Sequence, residues 1–146
     1  TAHQPGGRCV GALPDGRRAG EILADASMSP YQGRDTHGPI AAFQSAMKID
    51  QDAYQATLMN MKFLPSALKS QSDLEKLAMT IKIYLTHGGK HIQFNVVDKQ
   101  ALVDAQQNPE QHKDLIVRGA GYSTYFTLLT DQIQNEIIDR TTHEHI

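Results

Sequence analysis

Seven of the eleven glycines and four of the six prolines lie within residues 1–39. Proline removes a backbone donor and glycine carries no conformational preference, so that density forbids a long helix or a central strand. The front of the chain must therefore wrap over something that the remainder builds. From Pro39, well placed as the first residue of a helix, the pattern turns regular, and Ile40 to Met47 predicts a helix. Ala56 to Phe63 sets Thr57, Met59, Met61 and Phe63 on one face and Asn60 and Lys62 on the other, the period of two of a strand that Pro65 ends. Ser72-Asp73-Leu74-Glu75 predicts a capping box that opens a helix with an apolar stripe of Leu74, Leu77, Ala78, Ile81, Tyr84 and Leu85. Gly88-Gly89 supplies its left-handed stop. His91 to Val97 alternates as a strand, Asp98 caps a helix over Gln100 to Gln107, and Asn108-Pro109 caps the next turn. A last helix over Asp131 to Arg140 would bury Leu129, Ile133, Ile137 and Ile138, with Asp131 and Arg140 matching the ends of its dipole. The order predicts one mixed α/β domain over 1–146, divided into a wrapping segment (1–39) and a regular part (40–146).

Composition narrows the partners. A chain of 146 residues that is 40% hydrophobic buries one core. A net charge of -2 and a pI near 6.3 leave no basic footprint for nucleic acid, and no apolar run reaches the length of a membrane span. The single cysteine, Cys9, makes no internal disulfide; with no signal-peptide pattern, this suits a reducing, cytoplasmic setting. The chain starts at Thr1 without a methionine, which reads as a boundary of processing or cloning. Seven histidines invite a metal reading. His143 and His145 share no ligand spacing with cysteines or carboxylates, so they are expected on the surface, with no metal bound. Asp15, Asp25 and Asp35 show no catalytic pairing and read as turn residues beside Gly16 and Arg34.

One segment carries chemistry. In Leu115-Ile116-Val117-Arg118-Gly119-Ala120-Gly121-Tyr122-Ser123-Thr124-Tyr125-Phe126 a β-branched run enters, two glycines sit at the centre and aromatics leave. Two glycines between a strand and a helix usually make only a turn. Three further segments argue for more: Leu13-Pro14-Asp15-Gly16-Arg17-Arg18-Ala19-Gly20-Glu21, Thr86-His87-Gly88-Gly89-Lys90-His91-Ile92-Gln93-Phe94-Asn95-Val96-Val97-Asp98, and Asp104-Ala105-Gln106-Gln107-Asn108-Pro109-Glu110. In order and spacing these four resemble the C-terminal domain of the glycyl radical enzymes, whose loop signature is Arg-Val-x-Gly-Tyr with Ser-x-Tyr/Phe-Phe after it. The resemblance covers nearly the whole chain. It is nearer to the dehydratase, choline lyase, arylacetate decarboxylase and arylsuccinate synthase branch than to pyruvate formate-lyase.

The resemblance implies a C-terminal part of a ten-stranded α/β barrel, with the radical loop 115–126 between a short strand and a terminal helix. It places the stored radical on Gly121 and makes Arg118, Tyr122 and Ser123 supports of the loop. Glycine suits that task, because the electron left by the lost α-hydrogen delocalises over a planar Cα between an amide nitrogen and a carbonyl, and a residue without Cβ flattens there at no steric cost. The resemblance also implies no bound cofactor; the radical is installed by a radical S-adenosylmethionine activating enzyme. The catalytic cysteine belongs on a larger partner chain or an upstream part, because Cys9 does not match its position and reads as a small apolar filler. Substrate would reach the radical only through that complex. The expected reaction is C–O, C–N or C–S bond cleavage of the lyase or dehydratase type, with decarboxylation or radical addition of the arylsuccinate synthase kind as alternatives. A stand-alone rescue protein, replacing an oxygen-cut C-terminus, is the alternative; the front segment argues against it, since a rescue protein needs mainly the loop and its neighbours. Gly119 departs from the family's usual Val and implies either an easier opening of the loop or a less tightly packed one. Gln93 and Asn95 are expected to hydrogen-bond neighbouring backbone.

Overall fold

The computed structural model describes residues 2–119 and 121–146; Thr1, and Ala120 inside the 115–126 loop, lie outside the described residues. The wrapping segment holds a single short helix, α1 (His3–Arg8), before α2 (Gly38–Ala46) begins with Pro39 in its first turn. There follow β1 (Leu58–Phe63), α3 (Gln71–Thr86), β2 (His91–Val96), α4 (Lys99–Gln107), β3 (Ile116–Arg118), β4 (Ser123–Tyr125), α5 (Asp131–Asp139) and β5 (Thr142–His143). β1 is the central strand of a parallel sheet, paired with β2 from Leu58↔His91 to Phe63↔Val96 and with β5 at Lys62↔Thr142 and Phe63↔His143. α3 makes the crossover that parallel neighbours need. β3 and β4 form a separate antiparallel pair. The described residues thus hold a three-stranded and a two-stranded sheet, and the ten strands of the expected barrel are not among them.

Two apolar clusters support the sheet. Met59, Met61 and Phe63 pack with Phe43, Ala67 and Tyr84, where the Tyr84 ring meets Phe43 edge-on at 5.4 Å between centroids. Leu102, Ala105, Val117, Phe126, Ile137 and Ile138 form the other, joining α4 and α5 to the root of the β3–β4 pair.

The second face of β1 is the largest departure from the period-two reading. Asn60 and Lys62 are buried rather than solvated, Lys62 being only 2% exposed, because a central parallel strand is covered on both sides. The Lys62 ammonium donates to the carbonyls of Ile137 at 2.9 Å and Ile138 at 3.0 Å, in the final turn of α5, where helix carbonyls lack partners and the dipole favours a cation. Burial pushes its pKa down to about 8 from the usual 10.5. The folded value lies below the unfolded one, so this group makes the fold more stable as pH rises from about 8 toward 10.5, while the unfolded chain still holds the proton. Lys62→Met should therefore show a smaller gain in stability than wild type between those limits, measured by denaturant unfolding at stepped pH. Equal slopes would contradict the linkage.

Local signals were displaced by better partners. α3 is capped by Ser70, not Ser72: the Ser70 hydroxyl accepts from Asp73 N–H at 3.1 Å and the Asp73 carboxylate accepts from Ser70 N–H at 3.2 Å, so the box forms two residues earlier. Of the expected stripe on α3 only Tyr84 is buried, while Leu74 and Leu85 are both 46% exposed, since little of this chain lies over that face. Gly88 ends the helix at φ +93°, and Gly89 N–H returns to the Tyr84 carbonyl as expected of such a stop. Asp98 caps α4 through Gln100 N–H, but Asn108 turns its amide back onto Asp104 and caps nothing.

The acidic residues of the wrapping segment are likewise not all turn residues. Asp15 is one, accepting from Arg17 N–H at 3.0 Å. Asp25 instead is buried against Arg140, at 2.9 Å, and Asn60, whereas Asp35 accepts from Thr141 and faces His143 at 3.3 Å. His143 is consequently buried in β5 with its ring against Phe63, contrary to the surface position expected; His145 is exposed. Near the N-terminus, His3 and Gln4 reach Glu136 of α5 at 2.7 and 2.8 Å. Burial works to raise the Glu136 carboxyl, but the His3 hydrogen bond and the Arg140 charge outweigh it and hold the group at about 2. That contribution is present above the unfolded value of 4.5 and is lost as pH falls toward 2.

Candidate functional site

Within the segment 115–126 the described residues on either side of Ala120 pair as two strands, where a simple strand-to-helix loop was expected. Ile116↔Tyr125, Val117↔Thr124 and Arg118↔Ser123 pair antiparallel, and Gly119 N–H donates to the Tyr122 carbonyl at 2.8 Å. The residues after the glycines are strand formers, so β4 and a 3₁₀ turn at Phe126–Leu128 intervene before α5.

Gly121 sits at the tip with φ +87°, a conformation that a residue with Cβ adopts only under strain. It is exposed, and among the described residues no atom outside its immediate neighbours lies within 4 Å of where a Cβ would stand. Gly119 is the opposite case. A Cβ there would lie 2.8 Å from Tyr122 Cζ, so the tyrosine ring occupies the place of the missing side chain. Arg118 Nη1 donates to Ser123 Oγ at 3.0 Å, tying the two strands where they enter the turn. Arg118, Tyr122 and Ser123 are thus brought together around the tip, each acting on the hairpin itself.

The neighbouring strand holds the hairpin from below. Asn95 treats Arg118 as a strand would: its Oδ1 accepts from Arg118 N–H at 2.7 Å and its Nδ2 donates to the Arg118 carbonyl at 2.8 Å. Gln93 Oε1 accepts from Gly121 N–H at 3.3 Å. Both amides are buried, whereas Ile92 and Phe94, of the opposite parity, are only partly covered. Sequence reasoning gave these amides backbone partners without seeing which backbone. The available signal was their shared parity on β2, since polar residues that alternate onto a buried face must find partners.

Cys9 lies outside this arrangement, exposed at the end of α1, and so is not the packed filler expected; the buried residues of that helix are His3, Gln4 and Gly7. For a cation, His3, Asp25 and Glu136 offer ligand atoms within 4.8 Å of one another. Arg140 already stands between the two carboxylates, 2.9 Å from Asp25 and 2.7 Å from Glu136, and supplies the positive charge there.

A family model described as "Glycine radical" matches residues 24–127. The chain belongs to the glycyl radical family. Over 144 residues it is 43% identical to the indoleacetate decarboxylase of Tractidigestivibacter scatoligenes, an alignment covering 99% of this chain and 16% of that protein. It is 42% identical over 146 residues to the 4-hydroxyphenylacetate decarboxylase glycyl radical subunit of Clostridioides difficile (strain 630), covering all of this chain and 16% of the subunit. Among solved structures, the glycerol-bound B12-independent glycerol dehydratase from Clostridium butyricum superposes with a TM-score of 0.90 at 47% identity, covering 98% of this chain and 18% of that one. The chain spans about one sixth of the length of these relatives. No helix among the described residues is long and apolar enough to cross a membrane.

Proposed function

We propose that this chain is the radical-storing domain of a glycyl radical enzyme and that Gly121 is the storage site. The observation that carries the reading is the geometry of Gly121: a hairpin tip, a left-handed backbone, and open space over Cα. A radical there is made by homolysis of one Cα–H bond, the hydrogen atom going to a carbon radical generated by an activating enzyme of the radical S-adenosylmethionine class. The open face above Cα suits that approach. In turnover, Gly121 would regain a hydrogen atom from a cysteine thiol, and the sulfur radical left behind would take hydrogen from substrate. That cysteine is assigned to the part of the enzyme, or the larger partner chain, that the remaining five sixths of the relatives' length represents. Cys9 sits on α1 rather than on the hairpin and is not assigned this task.

The reaction we favour is lyase chemistry on a small molecule, with C–O, C–N or C–S cleavage first, supported by the likeness to a dehydratase. Decarboxylation is the second reading, favoured by the names of two of the relatives. The match runs through the front segment, which supports an integral domain or subunit over a stand-alone rescue protein. The free, exposed Cys9 suits a reducing cytoplasm.

The test is electron paramagnetic resonance of the complete enzyme after anaerobic activation. It should show a doublet from one α-hydrogen, and glycine labelled with ¹³C at Cα should add a further splitting. A line shape that ignores the label would remove the radical from glycine.

A further inference from the structure

The contact between Gln93 and Gly121 is not needed to hold the hairpin, since Asn95 already anchors its root with two short hydrogen bonds. What Gln93 touches is the amide of the residue proposed to carry the radical. We propose that Gln93 is a positioning residue for that radical: its carboxamide oxygen fixes the Gly121 peptide plane and supports the nitrogen side of the delocalised electron. The inference rests on the reading of Gly121 as the storage site.

Chemistry gives the contact its meaning. An electron centred on Cα is stabilised when the flanking nitrogen donates density and the flanking carbonyl withdraws it, which requires both peptide planes to be coplanar with Cα. At φ +87° the Gly121 carbonyl carbon stands out of the plane of its own N–H, so the carbonyl side must turn about N–Cα once the hydrogen is lost. An acceptor on the Gly121 N–H holds the nitrogen-side plane still during that turn and, by pulling the proton outward, strengthens donation from nitrogen. The acceptor here is neutral, so it does this without placing a charge beside the radical. Its direction is also set: Gln93 Nε2 lies 3.1 Å from His91 Nε2, and an imidazole that accepts there takes the amide N–H and turns Oε1 toward Gly121. Gln93 is buried while His91 is exposed, so the chain His91, Gln93, Gly121 runs from the surface to the amide of the tip. The same contact is one of the bonds the tip must break to leave β2, so removing it separates two effects. Loss of Gln93 should leave radical formation unimpaired and shorten the life of the radical once formed.

The experiment uses the complete enzyme with its activating enzyme, under strict anaerobiosis, comparing wild type, Gln93→Leu, Gln93→Glu and His91→Ala by paramagnetic resonance. Gln93→Leu should form the radical at least as fast as wild type, with an altered α-hydrogen splitting and a lifetime about fivefold shorter, the factor corresponding to one lost hydrogen bond. Gln93→Glu, which keeps an acceptor oxygen, should recover most of the lifetime. His91→Ala touches only an exposed side chain and frees the amide to flip, so it should shift the lifetime in the same direction by less; it carries the test if Gln93→Leu does not fold. Splittings and lifetimes equal to wild type in Gln93→Leu, or in His91→Ala where Gln93→Leu is unfolded, overturn the inference. No doublet in wild type would instead overturn the assignment of Gly121.

Discussion

Gly121→Ala in the complete enzyme should abolish the radical signal and turnover together while leaving the domain folded. The separation follows from the geometry. A methyl group at this position meets no atom of the described residues within 4 Å beyond its chain neighbours, so the cost is confined to holding alanine at φ +87°, about 1–2 kcal/mol. A planar Cα lying in both flanking peptide planes would then press its methyl group against the neighbouring peptide groups, a clash that a hydrogen avoids. The loss is therefore chemical, and circular dichroism or limited proteolysis of the variant should match wild type. A doublet surviving in Gly121→Ala would move the radical to another residue.

Arg17→Ala should be the most damaging substitution for the fold itself. The guanidinium is 1% exposed and donates to four carbonyls, those of Gly7 at 3.4 Å, Val10 at 3.0 Å, Gly11 and Glu21. The wrapping segment has too much glycine and proline for its own ladder, so this one side chain supplies the pairing that secondary structure supplies elsewhere. Deleting it leaves buried carbonyls unpaired around a void, a loss on the order of 3–5 kcal/mol. Arg17→Lys should recover little, because an ammonium lacks the planar fork that reaches several acceptors at once. Proteolysis should begin in residues 2–37, and α1 should release its grip on Glu136. A variant within about 1 kcal/mol of wild type in denaturant unfolding would contradict this account.

Where partners are local, the sequence was a good guide. The Gly88 stop, the Asp98 cap, the parity of Met59, Met61 and Phe63, and the buried side of α5 at Ile137 and Ile138 all follow from spacing within one element. The Ser70 box shows the limit even there, since two overlapping Ser-x-x-acid patterns compete and the earlier one wins. What could not be read were partners far along the chain. Lys62 with the end of α5, Asp25 with Arg140, His143 with Asp35 and Asn95 with Arg118 are joined by topology, and each charged or amide group looks like an ordinary surface residue until the fold closes over it. The motif on which the Gly121 proposal rests was legible for a different reason: it stands with three others in one order, and a loop motif is written in adjacent residues. The hairpin around it was not, because Ser123–Tyr125 is too short a strand for periodicity to register.

The central claim, that Gly121 holds the radical, is tested most directly by the site at which oxygen breaks the chain. Backbone cleavage at a glycyl radical marks the residue itself rather than its type. The activated complete enzyme, admitted to air and examined by mass spectrometry, should yield a C-terminal fragment beginning at Tyr122, absent from unactivated protein and from Gly121→Ala. Cleavage at another glycine, or an intact chain after a verified doublet, would contradict the assignment.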